Sequence, residues 1–303
     1  MIEWIQKGLV LGLFLATGCC AWVLASTGQW LLGALSSLLI IASYSILLAF
    51  EFLMLAFFGR DSVLGGTRTP TGRELIAACI REAMCTPQVF YWRQPFRSRT
   101  FPDDVGDGKR ESRGVLLVHG YFCNRGLWNP WLKMLHRLNV PYLAPNLEPA
   151  FGSIGAYSAS IGECVRQLHG STGRKVVVVG HSMGGLAIRA WLADSDGGEH
   201  VHRFISIGTP HRGSWLARFG HASNAREMRP GSPWLRQLEA RESGRPRVGT
   251  TCFYAQCDNI VFPAWRATLP GADNKLVAQR AHMEMLGDPA VFAEVLRWTA
   301  VGR

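Results

Sequence analysis

Apolar and polar positions divide this chain into two unlike parts. Gly8–Ser26 is uncharged and mostly apolar. A helix of that length reaches about 28 Å, enough to cross a hydrocarbon core. A short polar turn, Thr27-Gly28-Gln29, follows, and Leu31–Phe58 is again apolar apart from Glu51 and a few hydroxyls. The pattern predicts two transmembrane helices, about 8–26 and 31–58, forming a hairpin over residues 1–59. Such a hairpin satisfies its backbone groups internally, as lipid requires. Trp4 and Trp30 fall at the span ends, where amphipathic rings prefer to sit. The first part of the second run suffices to span, which leaves Glu51 near the interface and Phe52–Phe58 in the headgroup region or in a tilted helix. A cleaved signal peptide is the alternative for the first run, but signal peptides carry a shorter apolar stretch, roughly 7–15 residues. Ala16-Thr17-Gly18 before Cys19 also lacks the leucine of a lipoprotein signal.

Residues 60–73 are rich in Gly, Thr, Arg and Pro and read as a linker. Thr71-Gly72-Arg73-Glu74 has capping-box form and precedes an amphipathic stretch, Leu75–Met84, so 60–89 is assigned as linker plus helix. Phe90–Phe101 alternates aromatic and arginine residues and predicts one or two half-buried strands at the start of the domain 90–303. From Gly114 the pattern becomes regular. Strands are predicted at Val115–Val118, Pro141–Ala144, Lys175–Val179, Phe204–Ile207, Thr251–Tyr254 and Leu276–Ala278. Helices are predicted at Leu127–Leu138, Ala156–Leu168, Met183–Ala193 and Val291–Trp298. Short, fully apolar strands alternating with helices define an α/β fold, a parallel sheet covered on both faces. His211–Thr250 is too long for an ordinary connection and is predicted to be a lid-like excursion, 211–250, over the strand ends or a decorated surface helix.

Charge sharpens the division. Lysine and arginine number 32 against 22 acids in 303 residues, a formal charge of +10. Residues 1–59 carry only Glu3, Lys7 and Glu51, a net −1, which leaves +11 for the remainder. A mean hydropathy of +0.08 therefore describes neither part. Arg60, Arg68 and Arg73 follow the second span with only Asp61 opposing them, so the positive-inside bias predicts a multi-pass protein of the inner (cytoplasmic) membrane with its large domain in the cytoplasm. The eight cysteines show no framework spacing, in keeping with a reducing compartment, and no Cys/His cluster has zinc spacing. No cofactor or metal is expected. Basicity alone does not predict nucleic-acid binding, because no recognition motif or clustered basic helix accompanies it.

The chemistry centres on Gly180-His181-Ser182-Met183-Gly184-Gly185, which follows a strand and opens a helix. G-x-S-x-G in that context is a nucleophile elbow: a tight turn lifts the serine clear of the sheet, and flanking glycines such as Gly180 and Gly184 let the backbones approach. A serine needs a base oriented by an acid, in the order Ser, Asp or Glu, His. Asp258 follows the strand Thr251–Tyr254, and His282 lies beyond Leu276–Ala278 and before the last helix, so Ser182, Asp258 and His282 are the expected triad. The oxyanion donors are expected to be the backbone N–H groups of Met183 and of Tyr121, with Gly120 permitting the turn after Val118. His119 precedes the serine and is assigned a structural hydrogen bond, while His181 is assigned to shaping the elbow.

With Val118-His119-Gly120, the elbow, Ile207-Gly208-Thr209-Pro210-His211-Arg212-Gly213-Ser214, Asp258-Asn259-Ile260-Val261 and His282-Met283, the chain from about Gly114 resembles the α/β-hydrolase superfamily, and bacterial triacylglycerol lipases most of all. The resemblance implies carboxylic ester hydrolysis by Ser182, Asp258 and His282, an acyl-ester or lipid substrate and a lid-like 211–250. The hairpin lies outside the secreted lipases and implies a membrane-anchored relative. The same machinery serves an acyltransferase, thioesterase or amidase, because specificity resides in the pocket. A non-catalytic, membrane-anchored binding module predicts decay of the catalytic residues, whereas all three are present.

Overall fold

The computed structural model describes residues 1–59, 68–108, 110–194, 196–243 and 249–301. Most of the predicted linker, 60–67 with Arg60 and Asp61, and residues 244–248 of the excursion lie outside them.

The chain opens with two long helices, α1 (Ile2–Ser26) and α2 (Trp30–Phe58). α1 is long and apolar enough to cross a membrane, and most of that stretch is not buried by the rest of the chain. α2 departs from a straight second span: Trp30–Ile40 and Ala42–Phe58 meet at 47°. The first piece lies along α1, where Cys20 donates to the Ser36 hydroxyl at 3.2 Å. The second piece turns back onto the rest of the chain and buries Leu48, Phe52 and Leu55 against Ala78, Cys257, Phe262 and Ala281. Glu51 is half-buried there, accepting a hydrogen bond from Asn259 Nδ2 at 2.7 Å, rather than standing free at an interface. The base of α1 is also docked, through Ile2, Gln6 and Val10, one helical turn apart.

α3 (Gly72–Pro87) begins with the capping box that its sequence predicts. Thr71 Oγ1 accepts the Glu74 N–H at 3.3 Å, and Glu74 Oε2 accepts the Thr71 N–H at 2.8 Å. Its inward face is unexpected: Ala78, Glu82 and Thr86 are buried, whereas Ile76, Ile80 and Met84 are exposed. The strands expected in Phe90–Phe101 do not form. A π-helical turn (Gln88–Arg93) and α4 (Gln94–Arg97) extend α3 instead. Alternating aromatics suggested a pleated surface, but the buried residues Val89, Gln94, Pro95 and Ser98 recur at turn-like rather than twofold spacing.

The domain is built on β1 (Val115–Val118), α5 (Asn129–Arg137), β2 (Tyr142–Leu143), α6 (Ser158–Thr172), β3 (Val176–His181), α7 (Met183–Asp194) and β4 (Val201–Ile207). After the excursion, with α8 (Ser223–Glu227) and α9 (Pro233–Glu242), come β5 (Thr250–Tyr254), β6 (Asp273–Leu276) and α10 (Pro289–Thr299). The strands form one parallel sheet in the order β2-β1-β3-β4-β5-β6. Both faces are buried, which explains the continuous apolar runs. Val115, Leu117, Val177 and Val179 face α5 and α10, while Leu116, Val118, Val176 and Val178 face α6 and α7. Each such side chain contributes about 1.5–3 kcal/mol relative to exposure. β6 precedes the predicted Leu276–Ala278, because Asp273, Asn274 and Lys275 line an exposed edge and carry no apolar signal.

The excursion packs down on the domain. Leu235 and Leu238 of α9 enter the core beside α7, and buried Arg189 makes a two-pronged ion pair with Glu242 at 2.8 and 2.7 Å. Trp215 stacks on Phe58 of α2 with ring centres 4.5 Å apart. Leu238→Ala, at a fully buried site, is expected to cost about 2–5 kcal/mol by the lost transfer energy and the cavity left. Urea denaturation checks this, and a cost below about 1 kcal/mol would mean that α9 unfolds apart from the domain.

Candidate active site

β3 delivers Ser182 to the carboxyl edge of the sheet, where the backbone turns sharply into α7. Ser182 has φ +54°, a left-handed conformation that a side chain tolerates only at a cost of about 1–3 kcal/mol. The surroundings hold it: the Ser182 N–H donates to Ile207 O at 2.9 Å, and the Gly185 N–H donates to Ser182 O at 3.1 Å. A Cβ on Gly184 would collide with the carbonyls of Val118 and His119, and one on Gly180 with Gly185. The elbow glycines are thus required by the approach of α7 to β1 and β3. Gly120 brings the loop after β1 against the serine; a Cβ there would stand 2.8 Å from Ser182 Cβ.

Asp258 and His282 meet across two loops beyond β5 and β6. His282 Nδ1–H donates to Asp258 Oδ1 at 3.0 Å and Oδ2 at 3.1 Å. The carboxylate accepts only, so it fixes the proton on Nδ1 and leaves Nε2 as the basic nitrogen of the neutral ring. Asp258 is 1% exposed and His282 is 4% exposed, so their charges must be met by protein. Asp258 Oδ1 also accepts the N–H groups of Ile260 and Val261, both at 2.9 Å. Burial pushes the His282 imidazole towards neutrality, but the Asp258 charge and hydrogen bond, followed by Glu82 and Glu51, outweigh it and hold the group above its ordinary 6.5. Among the described residues no hydrogen bond joins Ser182 Oγ to His282, a looseness common in unliganded sites.

The other predicted residues fall around this centre. Tyr121 and Met183 flank the serine, one on the Gly120 loop and one at the first position of α7. Among the described residues neither backbone N–H bonds a backbone acceptor outside the helices and strands. His119 is buried and bridges two loops: its Nε2 accepts the Leu147 N–H at 3.0 Å, and its Nδ1 lies 3.0 Å from the Gly120 carbonyl. Burial pushes its pKa down to about 4. His181 is buried with its ring 4.6 Å from that of His282, and its Nε2 lies 3.4 Å from the His282 carbonyl. Burial and the neighbouring His282 hold His181 well below 6.5.

Several contributors lie outside the predicted set. Gly208 has φ +55°, and a Cβ there would stand 3.0 Å from His282 Nδ1 and 2.8 Å from the Met285 methyl, so the imidazole rests against this glycine. Its signal was present in Gly208-Thr209-Pro210-His211, but its position under the histidine was not. Gln6 of α1 donates to the Phe122 carbonyl at 2.9 Å and accepts from Asn124 Nδ2 at 2.9 Å, tying the first helix to the loop after β1. Tyr121, Phe122 and Phe151 form an aromatic cluster on that side, with ring centres 6.0–6.5 Å apart. A separate cleft of about 490 Å³, lined by Arg212, Leu235, Arg236 and Trp265 among others, includes neither Ser182 nor His282. Among the described residues no group of three His, Cys, Asp or Glu side chains is arranged to hold a metal.

A parallel sheet, a strained serine between strand and helix and a buried acid–histidine pair define a hydrolase architecture. Residues 115–301 match the alpha/beta hydrolase family, and the chain belongs to it. Among solved structures it is similar to the mature form of the Bacillus licheniformis lipase BlEst2, with 18% identity, 66% of this chain and 96% of that one covered, and a TM-score of 0.58. It is also similar to Aspergillus fumigatus lipase B, with 19% identity and a TM-score of 0.55 over 65% of this chain and 55% of that one. These likenesses are likenesses of fold. No curated protein matches the sequence.

The bridging role of His119 has a pH signature. Its folded pKa lies below the unfolded 6.5, so its contribution is complete above pH 6.5 and is lost as pH falls towards 4. His119→Gln is expected to remove about one proton from the slope of stability against pH in that window, read by urea denaturation at each pH. An unchanged slope would contradict a buried, neutral His119.

Proposed function

We propose that this protein is a membrane-anchored serine hydrolase that cleaves carboxylic esters of the lipase or esterase type. The observation that carries this reading is the buried Asp258–His282 hydrogen bond together with the strained Ser182, whose chain neighbour His181 packs its ring against that of His282. Ser182 Oγ attacks the acyl carbonyl while His282 Nε2 takes its proton. Asp258 holds the imidazole on the correct tautomer and stabilises the imidazolium. The N–H groups of Tyr121 and Met183 receive the developing oxyanion, aided by the positive end of α7. The imidazolium then protonates the leaving alcohol. Water, activated by the same histidine, cleaves the acyl-enzyme. The aromatic cluster of Tyr121, Phe122 and Phe151 favours an apolar acyl group beside the serine. The similar solved structures are lipases, which accords with this substrate class.

Anchoring is proposed through α1 and the first piece of α2, whose outward surfaces are apolar, including Trp4, Phe14, Leu15, Trp22, Leu31 and Leu38. The base of α1 is bonded into the domain through Gln6, which favours a retained helix over a cleaved signal. The proposed location is the inner membrane, with the catalytic domain on the cytoplasmic side.

Ser182→Ala is expected to lower ester hydrolysis by at least about 10³-fold and to abolish labelling by a fluorophosphonate. Retained hydrolysis would sink the assignment. Transfer to added alcohols or thiols in excess of hydrolysis would instead favour an acyltransferase. His282 must be unprotonated to act as base, and its pKa is raised, so kcat/KM should fall on the acidic side with a midpoint above 6.5. Gly208→Ala places a methyl against the imidazole at a left-handed position and should cut kcat by about 10²-fold, measured against the fraction of serine titrated.

A further inference from the structure

Two carboxylates that take no part in the proposed reaction stand against the Asp258–His282 pair, and both come from helices that precede the hydrolase fold. Glu82 of α3 is 2% exposed. Its Oε1 accepts the Met283 N–H at 2.9 Å and its Oε2 accepts the Glu284 N–H at 3.0 Å. Glu51 of α2 acts one step removed: its Oε2 accepts from Asn259 Nδ2 at 2.7 Å, and Asn259 Oδ1 accepts the His282 N–H at 3.1 Å. Three successive amides, 282 to 284, are therefore captured by side chains rather than by a strand or helix partner. α3 grips the same loop at its edges. Arg81 Nε pairs with Glu284 Oε1 at 2.6 Å, and Gln279 Nε2 donates to Glu74 Oε1 at 2.8 Å.

An acid in this position is a poor choice for packing alone. An apolar side chain of similar volume would fill the space without the desolvation cost of a buried carboxyl. What the carboxyl supplies is two acceptors at a fixed separation, matched to two consecutive amides beside the histidine. It also supplies charge. The groups facing His282 are Asp258 from the loop after β5, Glu82 from α3, Glu51 from α2 and His181 from β3. Burial lifts Glu82 and Glu51 to about 7, so Asp258 is the main charge favouring an imidazolium, the form His282 must take when it holds the serine proton. The two glutamates add to it only while ionised, near and above neutral pH.

We propose that Glu82 and Glu51 are positioning residues that hold the His282 and Asp258 loops in catalytic register, so that helices outside the hydrolase fold complete its active site. The inference rests on the Ser182 hydrolase reading above. It makes the N-terminal helices part of the catalytic apparatus as well as an anchor: a displacement of α2 or α3 would reach the histidine through one or two hydrogen bonds.

The test uses the full chain in detergent micelles, with turnover of a short acyl ester divided by the serine fraction titrated with a fluorophosphonate, so that only folded, reactive enzyme is counted. Glu82→Gln keeps one acceptor and should lower kcat on the order of tenfold with KM little changed; Glu82→Ala loses both and should lower it on the order of 10²-fold. Glu51→Gln keeps an acceptor for Asn259 and loses the charge. Because burial lifts the Glu51 carboxyl to about 7, the charge is lost only near and above neutrality; the imidazolium is less favoured there, and the upper end of the acidic limb of kcat/KM should move to lower pH. If Glu82→Ala fails to fold, the two glutamine variants carry the test. A purely structural role would lower the thermal midpoint while leaving kcat per titrated serine and the acidic limb at wild-type values, and that result overturns the inference alone. A wild-type chain that neither labels nor hydrolyses ester overturns the hydrolase reading beneath it.

Discussion

The Asp258–His282 pair is buried almost completely, and the structure around it follows from that burial. A carboxylate and an imidazole taken out of water are tolerable only when nearly every lone pair and proton finds a partner. Asp258 takes two backbone amides and the imidazole N–H, while the amides of residues 282 to 284 are taken by Asn259 and Glu82. Two irregular loops with few backbone bonds of their own are thereby given fixed shapes. The strain at Ser182 is maintained by the same logic, with Ile207 and Gly120 closing on it from either side.

This requirement explains why helices before β1 pack against the loops of the domain. α3 sets Glu82 and Thr86 beside Leu75, Ala78, Cys79 and Ala83 on its inner face and turns Ile76, Ile80 and Met84 outward. Glu82 stands on that face because the loop beneath it offers two amides that no strand or helix carbonyl takes. The second piece of α2 covers the neighbouring loop with Leu48, Phe52 and Leu55 and inserts Glu51 beside Asn259. α1 adds Gln6 to a buried amide network of Gln94, Asn124 and the Phe122 carbonyl. Both sides of the candidate site, the loop after β1 and the loop after β5, are therefore in contact with the two long helices.

What the sequence alone determined was local or periodic. β1 and β3 read as runs of Val and Leu because a parallel strand buried on both faces needs no polar alternation. The elbow was legible because strand, tight turn and helix are contiguous, and the glycines that permit the close approach of β1, β3 and α7 sit within a few residues of the serine. Asp258 and His282 were reached by chain order, and α3 by its cap, since Thr71 and Glu74 are three residues apart. Tertiary structure decided the rest. Phe90–Phe101 alternates like a strand, yet it continues the helical path of α3, because burial of Val89, Gln94, Pro95 and Ser98 outweighs local pattern. β6 is polar because it is an edge, and an edge is defined only by the absence of a neighbour. Glu82 and Glu51 lie 201 and 208 residues from the groups they hold. In sequence Glu82 is one more acid on a helix, and Glu51 is a blemish in an apolar run. No period or spacing can reveal an acceptor whose donor is the backbone of a distant loop, because a backbone amide is the same at every position and only the fold determines which amides are left without a partner.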